Sequence, residues 1–449
     1  MVCLKLFTFI ALVAFFVTLA ESAPAKTCPF SPEDLKDDGS EIKTFIVALK
    51  SPSDPNEAAK VEKKHFDILK ECGDKTIINL LEEIVNGLIE LLPVVKQDDK
   101  KILNFTTKGL IIYSGRFTQN FVDNHLSKLE EIFIIQKDIK YKLDDDVFKK
   151  IDRISIPTLQ SGDKTSLINL DRVDERNFPL DGKYQSPEGE CKGANVYVLD
   201  TGINTLHLDF GGRAKFAAAF CDGCKKVDDN GHGTMVAGII GGKKFGIAKL
   251  VKLFAVKVLN SKGTGFMLDL LLAIQFVIHE HFASENEKTI INMSLGFTKL
   301  VPIVDLTIKN AHNQGIISVV AAGNDAQNAC NFSPSATKEA ITVGATELKN
   351  DEITSFSNFG KCVDIFAPGR DIESDLHFLP VGSQTASGTS FSAPHVAGAI
   401  ACIIAKEDLT PDQAAKKLYE RSTQKTVKGI DSDTPNKFLF VKGSGPEKP

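Results

Sequence analysis

Ser390 stands in Ser387-Gly388-Thr389-Ser390-Phe391-Ser392-Ala393-Pro394-His395-Val396-Ala397-Gly398, where small residues and a glycine bring the backbone sharply to a hydroxyl. The apolar run Val396 to Ala405 that follows is too uniform for a surface helix and predicts one buried on all sides. Pro394 falls about one turn into that helix, where its missing N–H is tolerated. A helix start offers free N–H groups and a positive dipole end to developing negative charge, the setting an oxygen nucleophile requires. A serine there serves equally well as a plain N-cap. Three further residues decide between these readings: Asp200 in Asp200-Thr201-Gly202, His232 in Asn230-Gly231-His232-Gly233-Thr234, and Asn324 in Ala321-Ala322-Gly323-Asn324. A carboxylate, an imidazole, an amide and a hydroxyl, all beside glycines at turns, are the groups of a site that moves a proton and stabilises an anion.

The elements that must position them are legible from Leu167 onward. Continuous apolar runs occur at Asn195–Asp200, Leu250–Leu259, Thr289–Leu295, Gly315–Ala321, Ala340–Ala345 and Val363–Phe366, as parallel strands buried on both faces should show. Helical patterns lie between them at Thr234–Gly241, Phe266–Ala283 and Val304–Asn313. A last helix opens at Thr410-Pro411-Asp412-Gln413 with an N-cap, a first-turn proline and a capping-box glutamine. The fold class is α/β: an open, mostly parallel central sheet with helices on both faces. In such sheets ligands bind at the carboxyl ends of the strands, and Asp200 and Asn324 fall there.

The N-terminal third is built differently. Residues 1–23 carry Lys5, an apolar stretch from Leu6 to Leu19 and then small residues, the layout of a secretory signal peptide. A membrane anchor needs roughly 18–20 apolar residues, more than this stretch holds. Residues 24–145 read as a small α+β unit with strands at Thr44–Leu49, Lys108–Tyr113 and Ile132–Leu143 and helices at Ala58–Glu71 and Thr118–Leu129. A polar, serine-bearing linker at 146–166 is the kind of segment proteases cut. Residues 443–449 carry no pattern and read as a disordered tail. The 449 residues are 43% hydrophobic and 25% charged with a net charge of −5, which excludes a polybasic nucleic-acid binder and leaves no membrane span. Beyond the leader remain eight cysteines, an even number that suggests disulfides in an exported chain. Cys221-Asp222-Gly223-Cys224 reads as a loop disulfide or half a zinc site, and the partners of Cys191 and Cys402 are open.

Val198-Leu199-Asp200-Thr201-Gly202, Asn230-Gly231-His232-Gly233-Thr234-Met235-Val236-Ala237-Gly238 and the Ser390 stretch resemble the three signatures of subtilisin-like serine proteases, in the order Asp, His, Ser. Ala255-Val-Lys-Val-Leu259, Ala329-Cys-Asn-Phe-Ser-Pro334 and Phe356-Ser-Asn-Phe-Gly360 resemble the proteinase K and fungal vacuolar protease branch. The resemblance implies that 167–442 is the catalytic domain and 24–145 an inhibitory propeptide, with an apparent insertion at 74–100. It implies Ser390 as nucleophile, His232 as general base, Asp200 as its orienting partner and Asn324 as oxyanion donor. Substrate would lie against Gly263, Thr264 and Gly265 on one side and Ser294, Leu295 and Gly296 on the other, adding a strand. Ala321, Ala322 and Gly323 would line the pocket for a sizeable apolar side chain before the cut.

The implied protein is a secreted serine endopeptidase made as a zymogen, with export to a lytic compartment as the alternative. It would act on proteins or peptides, be inhibited by its own propeptide, work as a monomer and need no cofactor for catalysis. A structural calcium at Asp364, with the carbonyls of Lys338 and Ala340, is implied by the resemblance, against a hydrogen-bonding role for that aspartate. A Cys330–Cys362 disulfide is implied in the same way, and Cys28 with Cys72 are the two propeptide cysteines left to pair. Two departures stand out: Phe391 where the family usually has Met, and Phe297 where Gly is common, which would narrow the pocket. Two rival readings are a non-catalytic binding protein on this fold, and a nucleotide-binding enzyme, which would need a Gly-rich turn where Asp200-Thr201-Gly202-Ile203-Asn204 stands.

Overall fold

A computed structural model of the chain describes residues 42–50, 57, 59–65, 103–107, 110–143, 154–155, 167–221, 223–284 and 288–443. The signal peptide, the Cys28 and Cys72 pair, the 74–100 insertion, most of the 146–166 linker and residues 444–449 lie outside them.

The central sheet has nine strands. Third from one edge is β7 (Asn195–Asp200), followed toward that edge by β9 (Lys252–Lys257) and then β8 (Ala214–Ala219). On the other side follow β11 (Thr289–Met293), β12 (Ile317–Ala321), β13 (Ala340–Thr346) and β14 (Ile365–Pro368), all parallel to their neighbours. Two short strands, β18 (Lys437–Phe438) and β17 (Thr423–Gln424), close that edge, with the last pair antiparallel. The chain therefore leaves β7 toward one edge and returns to build the other, so β7 is the switch point where such sheets open a crevice.

Both faces are covered, as the apolar runs require. Val196 and Val198 of β7 point into one core with Val236, Ala237 and Ile240 of α3 (His232–Gly241) and Val396, Ala397 and Ile400 of α6 (Thr389–Lys406). Tyr197 and Leu199, one residue out of phase, join the opposite core with Leu270, Leu271 and Ile274 of α4 (Met267–Ala283) and Val304 and Ile308 of α5 (Pro302–Asn313). Residues 389–404 of α6 are buried throughout, so its uniform composition reflects a helix enclosed by other elements. The last predicted helix is α7 (Pro411–Arg421), with the capping box in place.

The structure supplies two elements that sequence patterning does not give. Strand β8 is an edge strand with an exposed Lys215, and its apolar run, Phe216 to Ala219, is short and mostly alanine. Strands β15 (Ile372–Asp375) and β16 (Ser383–Ala386) form a polar antiparallel hairpin that leads directly into Ser390. Cys330 pairs with Cys362, Cys221 with Cys224, and Cys191 with Cys402. The last pairing crosses 211 residues and ties the turn before β7 to α6.

The N-terminal unit is an antiparallel sheet of β2 (Leu103–Thr107), β3 (Leu110–Thr118), β1 (Ile42–Leu49) and β4 (Ile132–Lys137), in that order. One face encloses Phe45, Val47, Ile111 and Tyr113 with Val122 of α1 (Gln119–Asn124). On the other, Ile46, Ala48, Leu110 and Ile112 join the core of α4 and α5, so the unit is seated on the larger sheet. Asp138 fastens the junction by accepting from Leu268 N at the start of α4 (3.1 Å), and Met267 N donates to Ile139 O (2.9 Å).

Candidate active site

Asp200 is the last residue of β7 and His232 the first of α3, and both are fully buried. His232 Nδ1 lies 2.8 Å from each oxygen of the Asp200 carboxylate, so the ring donates there and Nε2 is its basic nitrogen. The close approach depends on Gly233, where an added Cβ would stand 2.1 Å from Gly202 O and 3.2 Å from Asp200 Oδ1.

Asp228, to which sequence reasoning gave no role, organises this turn. One of its oxygens accepts from Thr201 Oγ1 (2.9 Å), Asn230 N (3.1 Å) and Gly231 N (2.8 Å). The other accepts from Thr234 N (3.0 Å) and Thr234 Oγ1 (2.5 Å), capping the first turn of α3. Thr201 Oγ1 in turn accepts from Gly233 N (2.9 Å). Lys257, fully buried at the end of β9, donates to Thr201 O (2.5 Å) and Asp229 Oδ1 (2.8 Å). The carboxylate and imidazole are thus carried on a hydrogen-bonded frame.

Ser390 is the second residue of α6, at the end predicted for it. Its Oγ donates to Ser294 O (3.0 Å), and Ser294 Oγ donates to Ser390 O (2.8 Å). The second bond explains Pro394. Lacking an N–H, Pro394 leaves the carbonyl four residues back without its helical donor, and that carbonyl belongs to Ser390. Ser294 occupies the gap, itself steadied by Asn292 Nδ2 (3.0 Å). Phe391, next in sequence to Ser390, packs its ring 5.4 Å from the His232 imidazole. The segment bearing the hydroxyl and the segment bearing the base are therefore in contact.

Asn324 follows β12 and faces the same helix start. Its Oδ1 accepts from Thr389 N (2.8 Å) and Thr389 Oγ1 (2.9 Å), which sets the amide orientation and presents Nδ2 as the donor end. Two more residues missed by sequence reasoning hold this loop. Thr389 Oγ1 also accepts from Gly323 N (3.1 Å). Buried Asn358 donates to Ala322 O (2.9 Å) and accepts from Asp325 N and Gln327 N. Asn358 lies inside the Phe356–Gly360 stretch that carries the resemblance, which gave it no role of its own.

Gly263, Thr264 and Gly265 border a groove that the chain itself fills. Strand β5 (Lys140–Lys142) pairs antiparallel with β10 (Thr264–Phe266), matching Lys142 with Thr264 and Tyr141 with Gly265. Leu143 N then donates to Gly263 O (2.8 Å). Tyr141 is buried between Gly265 and Phe297, its ring 4.7 Å from the Phe297 ring. Phe297 thus makes a wall of the groove, beside Ser294, Leu295 and Gly296. Ala321 and Ala322 end β12 as buried residues, and Gly323 follows them.

Asp364 lies apart, before β14 and away from the catalytic rim. Its Oδ2 accepts from Thr342 N (2.8 Å), its carboxyl is hydrogen-bonded to Tyr419, and Lys437 is a nearby cation. Burial raises its pKa to about 6 despite those three opposing influences. With donors on the carboxylate and an ammonium beside it, these groups do not fit a hard dication, which needs several free oxygens. A separate cluster, Asp171, Glu175 and Asp181, brings one oxygen from each residue within 4.8 Å of the others. Burial and the charges of Glu175 and Asp181 push the Asp171 carboxyl up to about 6, against the N–H of Gly182 and Lys183. Among the described residues no helix is long and apolar enough to cross a membrane.

Known proteins resemble this chain in sequence and in fold. Residues 191–445 match the Subtilase family. The chain is 33% identical over 444 residues to the subtilisin-like serine protease Pen c 2 of Penicillium citrinum, covering 93% of each. It is 35% identical over 361 residues to alkaline protease 2 of Aspergillus fumigatus, covering 75% of this chain and 69% of that one. A solved structure, that of a cold adapted subtilisin-like serine proteinase, matches with a TM-score of 0.58 and 37% identity over 62% of this chain and 100% of its own. The chain belongs to the subtilase family and is a serine endopeptidase.

Proposed function

We propose that the enzyme is an exported zymogen that cuts peptide bonds through an acyl-enzyme on Ser390. The observation that carries this is the line from Asp200 through His232 to the Phe391 contact beside the hydroxyl. His232 takes the Ser390 proton as the oxygen attacks the scissile carbonyl, then returns it to the leaving amine. Asp200 holds the imidazole in the Nδ1–H form and stabilises its cation. In the resting structure the Ser390 hydroxyl donates to Ser294 O, and in this reading it leaves that carbonyl for His232 Nε2 when it reacts. The oxyanion is received by Asn324 Nδ2 and the Ser390 backbone N–H at the positive end of α6.

Strand β5 occupies the place of a substrate: extended, antiparallel to β10, and hydrogen-bonded through its main chain. In this reading residues 24–145 are an inhibitory propeptide whose last strand fills the groove, and self-cleavage falls in 143–166. Main-chain pairing reads no side chains, so specificity is broad, with an apolar preference before the cut set by Ala321, Ala322 and Gly323. The enzyme acts as a monomer outside the cell or in a lytic compartment. A structural calcium does not enter the chemistry.

The test is to express the chain and its Ser390→Ala variant side by side. The wild type should shed about a third of its mass while the variant stays full length. A variant processed at the wild-type rate in a protease-free host would refute the reading.

A further inference from the structure

Strand β5 is not the only part of the N-terminal third that meets the catalytic unit through its main chain. Strand β6 (Ile154–Ser155) pairs antiparallel with β16, matching Ser155 with Ser383 and Ile154 with Gln384. The other edge of β16 is taken by β15, so β6 uses its remaining edge.

The two pairings have a common polarity. Along β5 the chain runs from Phe266 toward Gly263, and the neighbouring Ser261 O accepts from Asn230 Nδ2 (3.0 Å), two residues before His232. Strand β5 therefore points at the catalytic histidine. Strand β16 runs forward into Ser390, so its antiparallel partner β6 runs away from Ser390. A single polypeptide that enters along β10 and departs along β16 passes the nucleophile in the direction a substrate must take. Its acyl side lies on β10 and its leaving side on β16.

A second observation falls on the same strand. Gln384 is 1% exposed, and neither its amide nitrogen nor its amide oxygen has a hydrogen-bond partner. Buried primary amides are normally satisfied, and one that is not marks a place where another polar group belongs.

We propose that the free edge of β16 is an extended rail for the leaving side of polypeptide substrates. It binds them by main-chain hydrogen bonds at Ser383 and Gln384 once the chain's own residues 154–155 have left it. The occupant is an extended polypeptide of little side-chain selectivity, because strand addition is read through the backbone. Gln384 precedes Ser390 by six residues, an extended distance of roughly 20 Å, so a substrate needs about five or six residues beyond the cut to reach it. The inference rests on Ser390 being the nucleophile and on the groove beside β10 holding the acyl side.

The test uses the mature enzyme and peptides with one fixed acyl-side sequence and two, four, six or eight residues after the cut. The rail predicts that kcat/KM climbs by about tenfold between four and eight residues, chiefly through KM. Backbone N-methylation of the fifth to seventh leaving-side residues, one at a time, should abolish the gain for at least one of them. Equal kcat/KM across the series, or a gain untouched by every N-methylation, would overturn the rail and leave the protease reading intact. Failure to cut any of the peptides would overturn that reading, and the rail with it.

Discussion

The ring of Phe391 lies 5.4 Å from that of His232, tilted by 54° and wholly buried. A methionine at this position would put an oxidisable thioether beside the nucleophile, and its sulfoxide would push a polar oxygen into the site. Phenylalanine offers no such atom. Activity should survive mild peroxide, and Phe391→Met should lose it in a first-order decay under the same treatment. Rapid loss in the wild type would contradict this account of the contact.

Asn324 is held by its oxygen, and in the proposed mechanism its nitrogen is the donor to the oxyanion. In subtilisin, a worked example of this effect, removing the equivalent donor lowers turnover about 100- to 1,000-fold. Asn324→Ala should show a fall of that order in kcat with KM nearly unchanged. Thr389→Val removes one of the two bonds that set the amide and should lower kcat by less, about tenfold. A KM effect without a kcat effect in Asn324→Ala would place the residue in binding instead.

His395 gives the fold an acid-sensitive point. It is buried on α6, with Nδ1 donating to Phe391 O (2.7 Å) and Nε2 accepting from Asn169 Nδ2 (2.9 Å). Burial lowers its pKa to about 4, outweighing the bond to Phe391 O. The unfolded chain therefore binds a proton that the folded one refuses between about pH 6.5 and 4. The neutral form's contribution is present in full above 6.5 and declines as pH falls toward 4, by roughly 3 kcal/mol in all. Asp171 and Asp364 act with the opposite sign over similar pH, so one residue must be isolated by substitution. In a Ser390→Ala background, which prevents self-digestion, His395→Gln should lower Tm at pH 7 and flatten its dependence between pH 7 and 4.5. Parallel Tm profiles for the two proteins would contradict this.

The bonds at Asp364 predict that the carboxylate is needed for hydrogen bonding and not for a cation. Asp364→Asn should leave the calcium dependence of Tm as it is in the parent, whatever its effect on Tm itself. Loss of a calcium-dependent increment in this variant would restore the metal reading at Asp364.

Legibility followed the physics of each element. Strands buried on both faces announce themselves as apolar runs, so β7, β11 and β12 and the residues at their ends could be placed. The β15–β16 hairpin could not, because Glu373, Ser374, Gln384 and Thr385 give no apolar period, although it delivers the chain to Ser390. Asp200, His232, Asn324 and Ser390 stood out because polar groups beside glycines at strand ends and helix starts are scarce. The residues that hold them were hidden for the opposite reason. Asp228, Thr389 and Asn358 are ordinary turn and cap types whose importance lies in bonds to distant segments. Only for Asp228 was there a local hint, a carboxylate three residues before Gly231 where it can accept backbone N–H groups. The Cys191–Cys402 pairing likewise depends on tertiary proximity that local sequence does not encode.

The most direct test of the central claim is covalent labelling of the mature enzyme with an organofluorophosphonate, followed by peptide mass mapping. One label should appear, on Ser390, and its rate of attachment should fall by at least 1,000-fold in His232→Ala, since the hydroxyl then has no base. A label on another serine, or an unchanged rate without the imidazole, would contradict the assignment of Ser390, His232 and Asp200 to a single catalytic unit.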